Sequence, residues 1–235
     1  MDKAAEKCIV ETLRSWFPDW NFLCEESGLS MSNEDSEYRW IVDPLDGTTS
    51  FTHGHPGFST CIALEYRGLG IVLGVVYCPV YDEMYVASLN NGAFCNGKPI
   101  HVSKTDKLIN ALVSTGFPTN RVRAESRLHT NLPYFEAILM KCRDIRRNGS
   151  CALDLCFVAK GRQDAYWEWG LKAWDCASGN IILCEAGGKL TNLRGSDHDY
   201  EPAVADEKYH VLATNGLLHQ SFLDTFKPIN DEYDE

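Results

Sequence analysis

In this chain of 235 residues, acidic residues follow directly after short apolar stretches, most clearly at Asp43-Pro44-Leu45-Asp46-Gly47-Thr48. The preceding run, Arg39–Val42, predicts a strand. Pro44 fixes its own φ, so two carboxylates three residues apart can converge on one point. Gly47 permits a tight turn, and a helical turn after it would let the amides of Gly47 and Thr48 bind an anion. Clustered carboxylates of this kind favour Mg²⁺, which also binds substrate phosphate.

This segment can also be a simple turn, because Asp, Pro, Gly and Thr are all turn formers. A turn is the better interpretation for an isolated D-P-x-D sequence. It is weaker here because the acids stand at the end of a predicted strand, where the ligand sites of α/β proteins usually lie. The spacing excludes the haloacid dehalogenase phosphatases, whose two catalytic aspartates are two residues apart.

Two further acidic residues, Glu25 and Asp175, are candidates for the same site. Glu25 and Glu26 follow Asn21–Cys24, a second predicted strand, and adjacent strand residues point to opposite faces, so one of them is expected to enter the site. A solvated acidic turn explains this pair equally simply. Asp175 stands where the N-cap of a helix is expected, and capping alone explains it.

The net charge and the cysteine content limit the binding partners and the cellular compartments that can be expected for this chain. The net charge of −11 disfavours binding to nucleic acid, and a phosphate ester would also be repelled unless bound divalent cations reversed the local field. The ten cysteines include no C-x-x-C pair and lie in apolar stretches, which is typical of reduced thiols. No signal peptide and no apolar run of membrane-spanning length is present. We expect a cytoplasmic protein, or one in another reducing compartment, with no membrane and no nucleic-acid partner.

Hydrophobic periodicity predicts a layered α/β fold in one domain over residues 1–235. Residues 28–38 are expected to be a loop, and the tail from Lys227 is expected to be frayed. Asn91-Gly92 and Asn96-Gly97 predict hairpin turns. The predicted helices cover residues 3–16, Leu128–Cys142, Ser150–Lys160 with Ser150 as its cap, and Cys176–Glu185. Beyond the two strands above, the predicted strands cover Ile71–Tyr77, Glu83–Ser88, Asp164–Trp167, Lys189–Asn192 and Tyr209–Thr214.

Seven motifs follow one another along most of the chain: Glu25–Ser27 (E-E-S), Asp43–Phe51 (D-P-L-D-G-T-T-S-F), Gly92–Gly97 (G-A-F-C-N-G), Arg147–Ser150 (R-N-G-S), Asp164–Glu168 (D-A-Y-W-E), Trp174-Asp175 and Glu185–Gly188 (E-A-G-G). In this order they resemble the inositol monophosphatase family. The resemblance implies an αβαβα five-layer sandwich of the inositol monophosphatase/fructose-1,6-bisphosphatase type. It also implies two or three Mg²⁺ ions, lithium sensitivity and a homodimer.

The resemblance further implies a role for individual residues. Asp43 would bridge two ions, Glu25 and Thr48 would position and activate the attacking water, and the amides of Gly47 and Thr48 would hold the phosphate. The metal ligands implied are Glu25, Asp43, the carbonyl of Leu45, Asp46 and Asp175. The residues implied to face the alcohol part of the substrate are Gly149, Ser150, Cys151 and Glu168.

The predicted function is Mg²⁺-dependent hydrolysis of inositol monophosphate or a related small polyol phosphate. The alternative substrates for the same reaction are histidinol phosphate, a sugar phosphate and fructose 1,6-bisphosphate. The family's usual first helix and hairpin have no counterpart before residue 1, which predicts an N-terminally short domain. A non-catalytic binding or scaffold protein is therefore the alternative of another class.

Several other polar residues attract attention without a motif of their own. His53 and His55 are expected to be loop residues near the mouth of the site, because nitrogen suits Mg²⁺ less well than oxygen. Asp154 and Glu185 are expected to be structural. Glu26 either supports the site or is solvated, and Arg146-Arg147 either attracts phosphate or lies on a surface or at a dimer interface.

Overall fold

The computed structural model describes residues 1–117, 130–197 and 208–232. In these ranges the chain forms two β-sheets, with helices on the outer face of each sheet and between them. The helices are α1 (Asp2–Trp16), α2 (Thr48–Thr52), α3 (Leu132–Leu139), α4 (Cys151–Ala159), α5 (Ala173–Glu185) and α6 (His219–Glu232).

The first sheet has eight strands in the spatial order β2-β1-β3-β4-β5-β6-β7-β8. Its pairs are antiparallel except β1 with β3, which are parallel, so the two strands end at the same edge of the sheet. The strands are β1 (Asn21–Cys24), β2 (Gly28–Ser30), β3 (Tyr38–Asp46), β4 (Ser59–Tyr66), β5 (Gly70–Cys78), β6 (Glu83–Ser88), β7 (Ala93–Cys95) and β8 (Lys98–Pro99).

The second sheet has five strands in the order β10-β9-β11-β13-β12. The central strand β11 runs parallel to β9 and antiparallel to β13. The strands are β9 (Leu112–Thr115), β10 (Asp144–Arg146), β11 (Ala165–Leu171), β12 (Lys189–Thr191) and β13 (Tyr209–Thr214).

Alternating side chains divide the apolar interior into three layers. Phe22 and Trp40 of the first sheet pack against α1 through Leu13 and its neighbours. Leu23 and Ile41, one residue further along each strand, face the opposite way, into the central layer that holds α4 and α5. The outer face of the second sheet packs against α3 and α6. The order of layers is therefore αβαβα, which confirms the fold class implied by the resemblance.

The elements with strong periodicity lie where the sequence predicts them. Helix α1, the capped helix α4, and the strands β1, β6 and β13 match to within about two residues, and both Asn-Gly turns join antiparallel strands. The predicted helix over Leu128–Cys142 is shorter, at Leu132–Leu139, with Pro133 in its first turn. Its first two predicted residues lie outside the described ranges.

Two predictions about irregular segments are wrong. The expected loop over residues 28–38 contains β2, a three-residue strand that pairs its backbone with β1 and is too short to show an apolar pattern. The tail from Lys227 was expected to be frayed, but as far as Glu232 it is part of α6, which continues through Pro228; residues 233–235 lie outside the described ranges. In α6 the aromatic residues Phe222 and Phe226 are fully buried, and their packing outweighs the helix penalty of the proline.

Candidate active site

A cavity of about 300 Å³ lies where both sheets and the starts of α2, α4 and α5 meet. Its wall is acidic on the side of the first sheet and partly aromatic on the side of the second. The lining residues are Glu25, Asp43, Leu45–Thr49, Gly116, Phe117, Arg147, Gly149–Cys151, Asp154, Glu168–Leu171 and Asp175. All the residues predicted to form the site are therefore brought to one cavity.

A β-bulge brings Asp43 and Asp46 to the same side of β3. Asp43 pairs with Cys61 and Asp46 pairs with Ser59, so three residue steps along β3 correspond to two residue steps along β4. In a regular strand, residues three apart point to opposite faces, and the extra residue reverses this. The bulge is at Pro44-Leu45, which explains why the proline is tolerated within a central strand.

Gly47 brings three backbone segments together at the base of the cavity. Its φ is 92°, and an added Cβ would lie 2.5 Å from the carbonyl oxygen of Gly57 and 3.0 Å from that of Gly149. The helical turn α2 begins at the next residue, which meets the condition for the amides of Gly47 and Thr48 to bind an anion. The hydroxyl of Thr48 donates to the carbonyl oxygen of Leu45 at 3.2 Å, which holds this residue beside the carboxylates.

The Asp46 carboxylate lies against the start of α4. Its Oδ2 accepts hydrogen bonds from the Ser150 hydroxyl at 2.6 Å and from the Ala152 amide at 2.9 Å. The Ser150 oxygen in turn accepts from the Leu153 amide and caps the helix, as predicted. The charge of Asp46 is thus stabilised by free amides at a helix N-terminus.

Asp175 is not the N-cap of α5, as its position in the sequence suggested. The helix begins two residues earlier, at Ala173, and its N-cap is Lys172. Asp175 is the third residue of the helix, and its Oδ2 accepts from the Lys172 amide at 2.7 Å. Asp175 therefore does cap the helix, but from inside the first turn, by accepting a hydrogen bond from the amide of the preceding N-cap residue. This contact places the carboxylate on the cavity wall.

The two adjacent acids after β1 separate as predicted. Glu25 lines the cavity together with Asp43. The amide of Glu26 donates to the carboxylate of Glu6 on α1 at 2.9 Å, and its side chain is exposed. This contact ties α1 to the end of β1 behind the cavity.

Burial and mutual repulsion raise the pKa values of the cavity carboxylates. Desolvation, together with the neighbouring acids, raises the pKa of Asp43 well above its usual range. Burial raises the pKa of Asp46 to about 7 and that of Asp175 to about 8. A cation bound among these carboxylates would favour their ionised forms and so lower their pKa values.

The donor set fits Mg²⁺ by its chemistry. The candidate ligands offer only oxygen: the carboxylates of Glu25, Asp43, Asp46 and Asp175 and the carbonyl of Leu45. The thiol of Cys151 also lines the cavity, but burial raises its pKa well above the usual range, so it stays protonated. In the described ranges no three His, Cys, Asp or Glu side chains are already arranged around one point. The fit thus lies in the ligand type, and the side chains would rotate to bind an ion.

The opposite wall holds residues that the sequence did not single out. Gly116 and Phe117 follow β9, a strand that was not predicted. Trp169, Gly170 and Leu171 continue β11 past Glu168. Arg147 also lines the cavity, whereas Arg146 pairs with Asp144 on the surface. Arg147, unlike the other residues of this wall, was named in the sequence analysis, both in the R-N-G-S motif and as a residue that either attracts phosphate or lies on a surface.

Other predictions about single residues have mixed outcomes. His53 and His55 lie in the loop after α2 and bond locally to Thr49 and Gly57, as expected. Glu185 is structural, since its carboxylate accepts from the amides of Asn90 and Gly92 at the β6–β7 turn.

Asp154 is buried beneath the cavity wall and accepts a hydrogen bond from Asn148 at 2.5 Å. Asp154 also lines the cavity, so it supports the site as well as the fold.

The chain is similar to known proteins over nearly its whole length. The profile of the inositol monophosphatase family matches residues 1–230. An inositol-1-monophosphatase of Mesorhizobium japonicum is 43% identical over 227 residues, 96% of this chain and 81% of that protein. A protein named Nus factor SuhB, from Pasteurella multocida, is 38% identical over 99% of this chain and 84% of its own length. The inositol monophosphatase structure from Anabaena (Nostoc) sp. PCC 7120 has a TM-score of 0.87 at 38% identity, covering 97% of this chain and 86% of that one.

Proposed function

The chain belongs to the inositol monophosphatase family, and on that premise we propose that it hydrolyses a small phosphate monoester with the help of Mg²⁺. The observation that carries this proposal is the convergence of Glu25, Asp43, Asp46 and Asp175 on one cavity. Glu25 directly follows β1, Asp43 and Asp46 lie in the last four residues of β3, and Asp175 lies in the first turn of α5.

The same residues would hold two or three Mg²⁺ ions, together with the carbonyl of Leu45. Bound there, the ions supply a water of lowered pKa and positive charge for the phosphoryl oxygens. The proton of the attacking water would pass to the carboxylate of Glu25, which lines the cavity beside the other candidate ligands. The hydroxyl of Thr48 would hold that water in line, and the amides of Gly47 and Thr48 would bind the phosphoryl oxygens.

Selectivity for the alcohol would come from the opposite wall. Glu168 is the best-placed acceptor for hydroxyl groups, and Gly149 and Cys151 leave room for a polyol. Ser150 is the exception among the predicted residues, because its hydroxyl already bonds to Asp46 and the Leu153 amide. We therefore propose myo-inositol monophosphate or a related polyol phosphate as the substrate. Histidinol phosphate, a sugar phosphate and fructose 1,6-bisphosphate are the rivals.

A release assay across these esters tests the proposal directly. Mg²⁺ should support turnover, Ca²⁺ should bind and inhibit, and lithium should inhibit at millimolar concentrations or below. Turnover that continues in the presence of a chelator, or that needs Zn²⁺, would contradict the metal assignment.

A second candidate function is a non-catalytic role as a binding protein. It is favoured by the relative that carries the name Nus factor, which matches 99% of this chain. Retention of all the candidate ligands argues against it. Absence of phosphate release from every ester tested, with Mg²⁺ present, would favour it.

We also propose that the protein forms a homodimer and acts in a reducing compartment such as the cytoplasm. All ten cysteines are free thiols, and eight of them are buried. In the part of the chain that the structure describes, no helix is long and apolar enough to cross a membrane. Light scattering would measure the oligomeric state.

A further inference from the structure

The side chain of Glu168 is fixed by a hydrogen bond from a fully buried tyrosine. The hydroxyl of Tyr166 donates a hydrogen bond to Oε2 of Glu168, and the Tyr166 side chain is 0% exposed. The two residues are two apart on β11, so their side chains leave the same face of the strand. The tyrosine lies beneath the cavity wall and is not among its lining residues, whereas Glu168 is.

Gly116 bounds the Glu168 carboxylate on a second side. An added Cβ at Gly116 would lie between 1.8 and 2.2 Å from the carboxylate atoms of Glu168. Gly116 directly follows β9, whose last residue, Thr115, pairs with Trp167 of β11. The carboxylate therefore occupies the space that any larger residue at position 116 would fill.

The backbone of Gly116 is itself fixed to β11. The side chain of Asn131 donates to the Gly116 carbonyl oxygen at 2.6 Å and accepts from the Trp167 indole at 2.9 Å. Asn131 and Trp167 are both fully buried. The position of Gly116 relative to Glu168 is thus set by hydrogen bonds on both strands.

We propose that Tyr166 and Gly116 are positioning residues that hold Glu168 in the orientation which selects the alcohol of the substrate. This inference rests on the proposed function, since it assigns Glu168 to the leaving group. With Oε2 bonded to Tyr166, Oε1 is left to accept a hydroxyl of the alcohol. In the described ranges, the Tyr166 hydroxyl is the donor that reaches this carboxylate. The substrate class is therefore a phosphate ester whose alcohol carries a further hydroxyl that Oε1 can accept.

Tyr166→Phe removes the one oxygen that bonds to Glu168. The quantity to measure is the selectivity ratio, kcat/KM for myo-inositol 1-phosphate divided by kcat/KM for p-nitrophenyl phosphate, whose leaving group has no further hydroxyl. We expect Tyr166→Phe to lower this ratio about five- to twentyfold, chiefly through KM for the polyol ester. Gly116→Ala should lower it at least as much, because the carboxylate must move.

The chain offers a matched control in Tyr85. This tyrosine is also fully buried on a strand and donates to a carboxylate two residues away, Glu83, at 2.6 Å, but neither residue lines the cavity. Tyr85→Phe should leave the selectivity ratio within about twofold of the wild type. An equal change in the ratio for both variants would overturn the proposal.

A double-mutant cycle separates positioning from a general structural role. In the Glu168→Gln background, Tyr166→Phe should change the ratio by less than about twofold, because its target is already altered. Full additivity of the two changes would overturn the proposal. So would an unchanged ratio in Tyr166→Phe itself.

Crystal structures of the wild type and Tyr166→Phe give a readout that needs no turnover. We expect one Glu168 conformer in the wild type and a displaced or divided carboxylate in the variant. An unchanged Glu168 conformer would overturn the positioning role even if every ester is hydrolysed. Conversely, a wild type that hydrolyses no ester, with Glu168 displaced in the variant, would defeat the proposed function and leave the positioning contact established.

Discussion

The Ser150 hydroxyl joins the fold to the candidate site through a single oxygen atom. It donates to Asp46 and accepts from the Leu153 amide, so one residue caps α4 and orients a proposed metal ligand. The resemblance implied that Ser150 faces the alcohol of the substrate, which stays a prediction. Its hydrogen bonds favour a role in holding Asp46.

Ser150→Ala should therefore reduce both stability and activity. Loss of the cap is expected to cost about 1 kcal/mol of unfolding free energy, and the freed Asp46 should lower kcat about tenfold or more. Ser59→Ala is the control, because the buried Ser59 hydroxyl contacts Ser150 but not Asp46. Thermal denaturation and phosphate release measure the two effects. Equal loss of kcat in both variants would contradict the assignment.

At the scale of elements, α6 joins the second sheet through a buried histidine. His219, at the start of this helix, hydrogen-bonds to the hydroxyls of Thr191 on β12 and Thr214 on β13 at 2.9 and 3.0 Å. Thr191 donates its own proton to the Asn192 carbonyl, so it accepts from Nε2 of a neutral imidazole. Burial, with a smaller contribution from Lys189, lowers the pKa of His219 to about 4.

This shift predicts a pH dependence of stability. The unfolded chain takes up a proton near pH 6.5 that the folded chain takes up only near pH 4, so stability is full above pH 6.5 and falls as the pH drops through that window. Between pH 7 and pH 5 the loss should be about 2 kcal/mol. Urea denaturation at several pH values measures it. The His219→Gln variant should show a flatter profile, and an equal slope in both proteins would refute the role of His219.

How well each element could be predicted depended on how local its signal is. The start of strand β3 and the capped helix α4 could be predicted from adjacent residues such as Trp40–Val42 and Ser150, whereas the bulge in β3 was not predicted. Strands β2, β9 and β10 are three or four residues long and become visible only through pairing with neighbours. Helix α6 contains Pro228, which argues against a helix locally, and the buried side chain of Asn230 compensates by bonding to Tyr134 and Leu193.

The residues of the candidate site also differ in how far they could be predicted from the sequence. The acids of the first sheet were predictable because each ends a strand or begins a helix in its own motif. Gly116 and Phe117 carry no such signal, since they reach the cavity through the parallel pairing of β9 with β11. The contact between Gly116 and Glu168 could not be predicted from a local pattern, because about fifty residues separate the two in the sequence.

At the scale of the whole molecule, α5 connects the layers. It packs on several strands of the first sheet, on α4 and on β12 of the second sheet, and one apolar cluster includes residues of both sheets. We propose on this ground that residues 1–235 form a single domain.

A single domain should unfold in one cooperative step. Urea transitions followed by far-UV circular dichroism and by tryptophan fluorescence should coincide, because Trp40 lies in the first sheet and Trp167 in the second. Two separated transitions would show that the sheets unfold independently and would contradict this proposal.

The central claim is that the carboxylates around the cavity bind the metal that drives phosphate ester hydrolysis. The most direct test is phosphate release from myo-inositol 1-phosphate as Mg²⁺ is titrated, for the wild type and Asp43→Asn. We expect turnover that requires Mg²⁺ and a loss of about a thousandfold in Asp43→Asn. The variant should remain folded, because removing one of the mutually repelling buried charges relieves repulsion. Asp224→Asn, which removes an exposed charge on α6, should retain wild-type turnover. Near-normal turnover in a folded Asp43→Asn protein, or turnover indifferent to Mg²⁺ and chelator, would contradict the account.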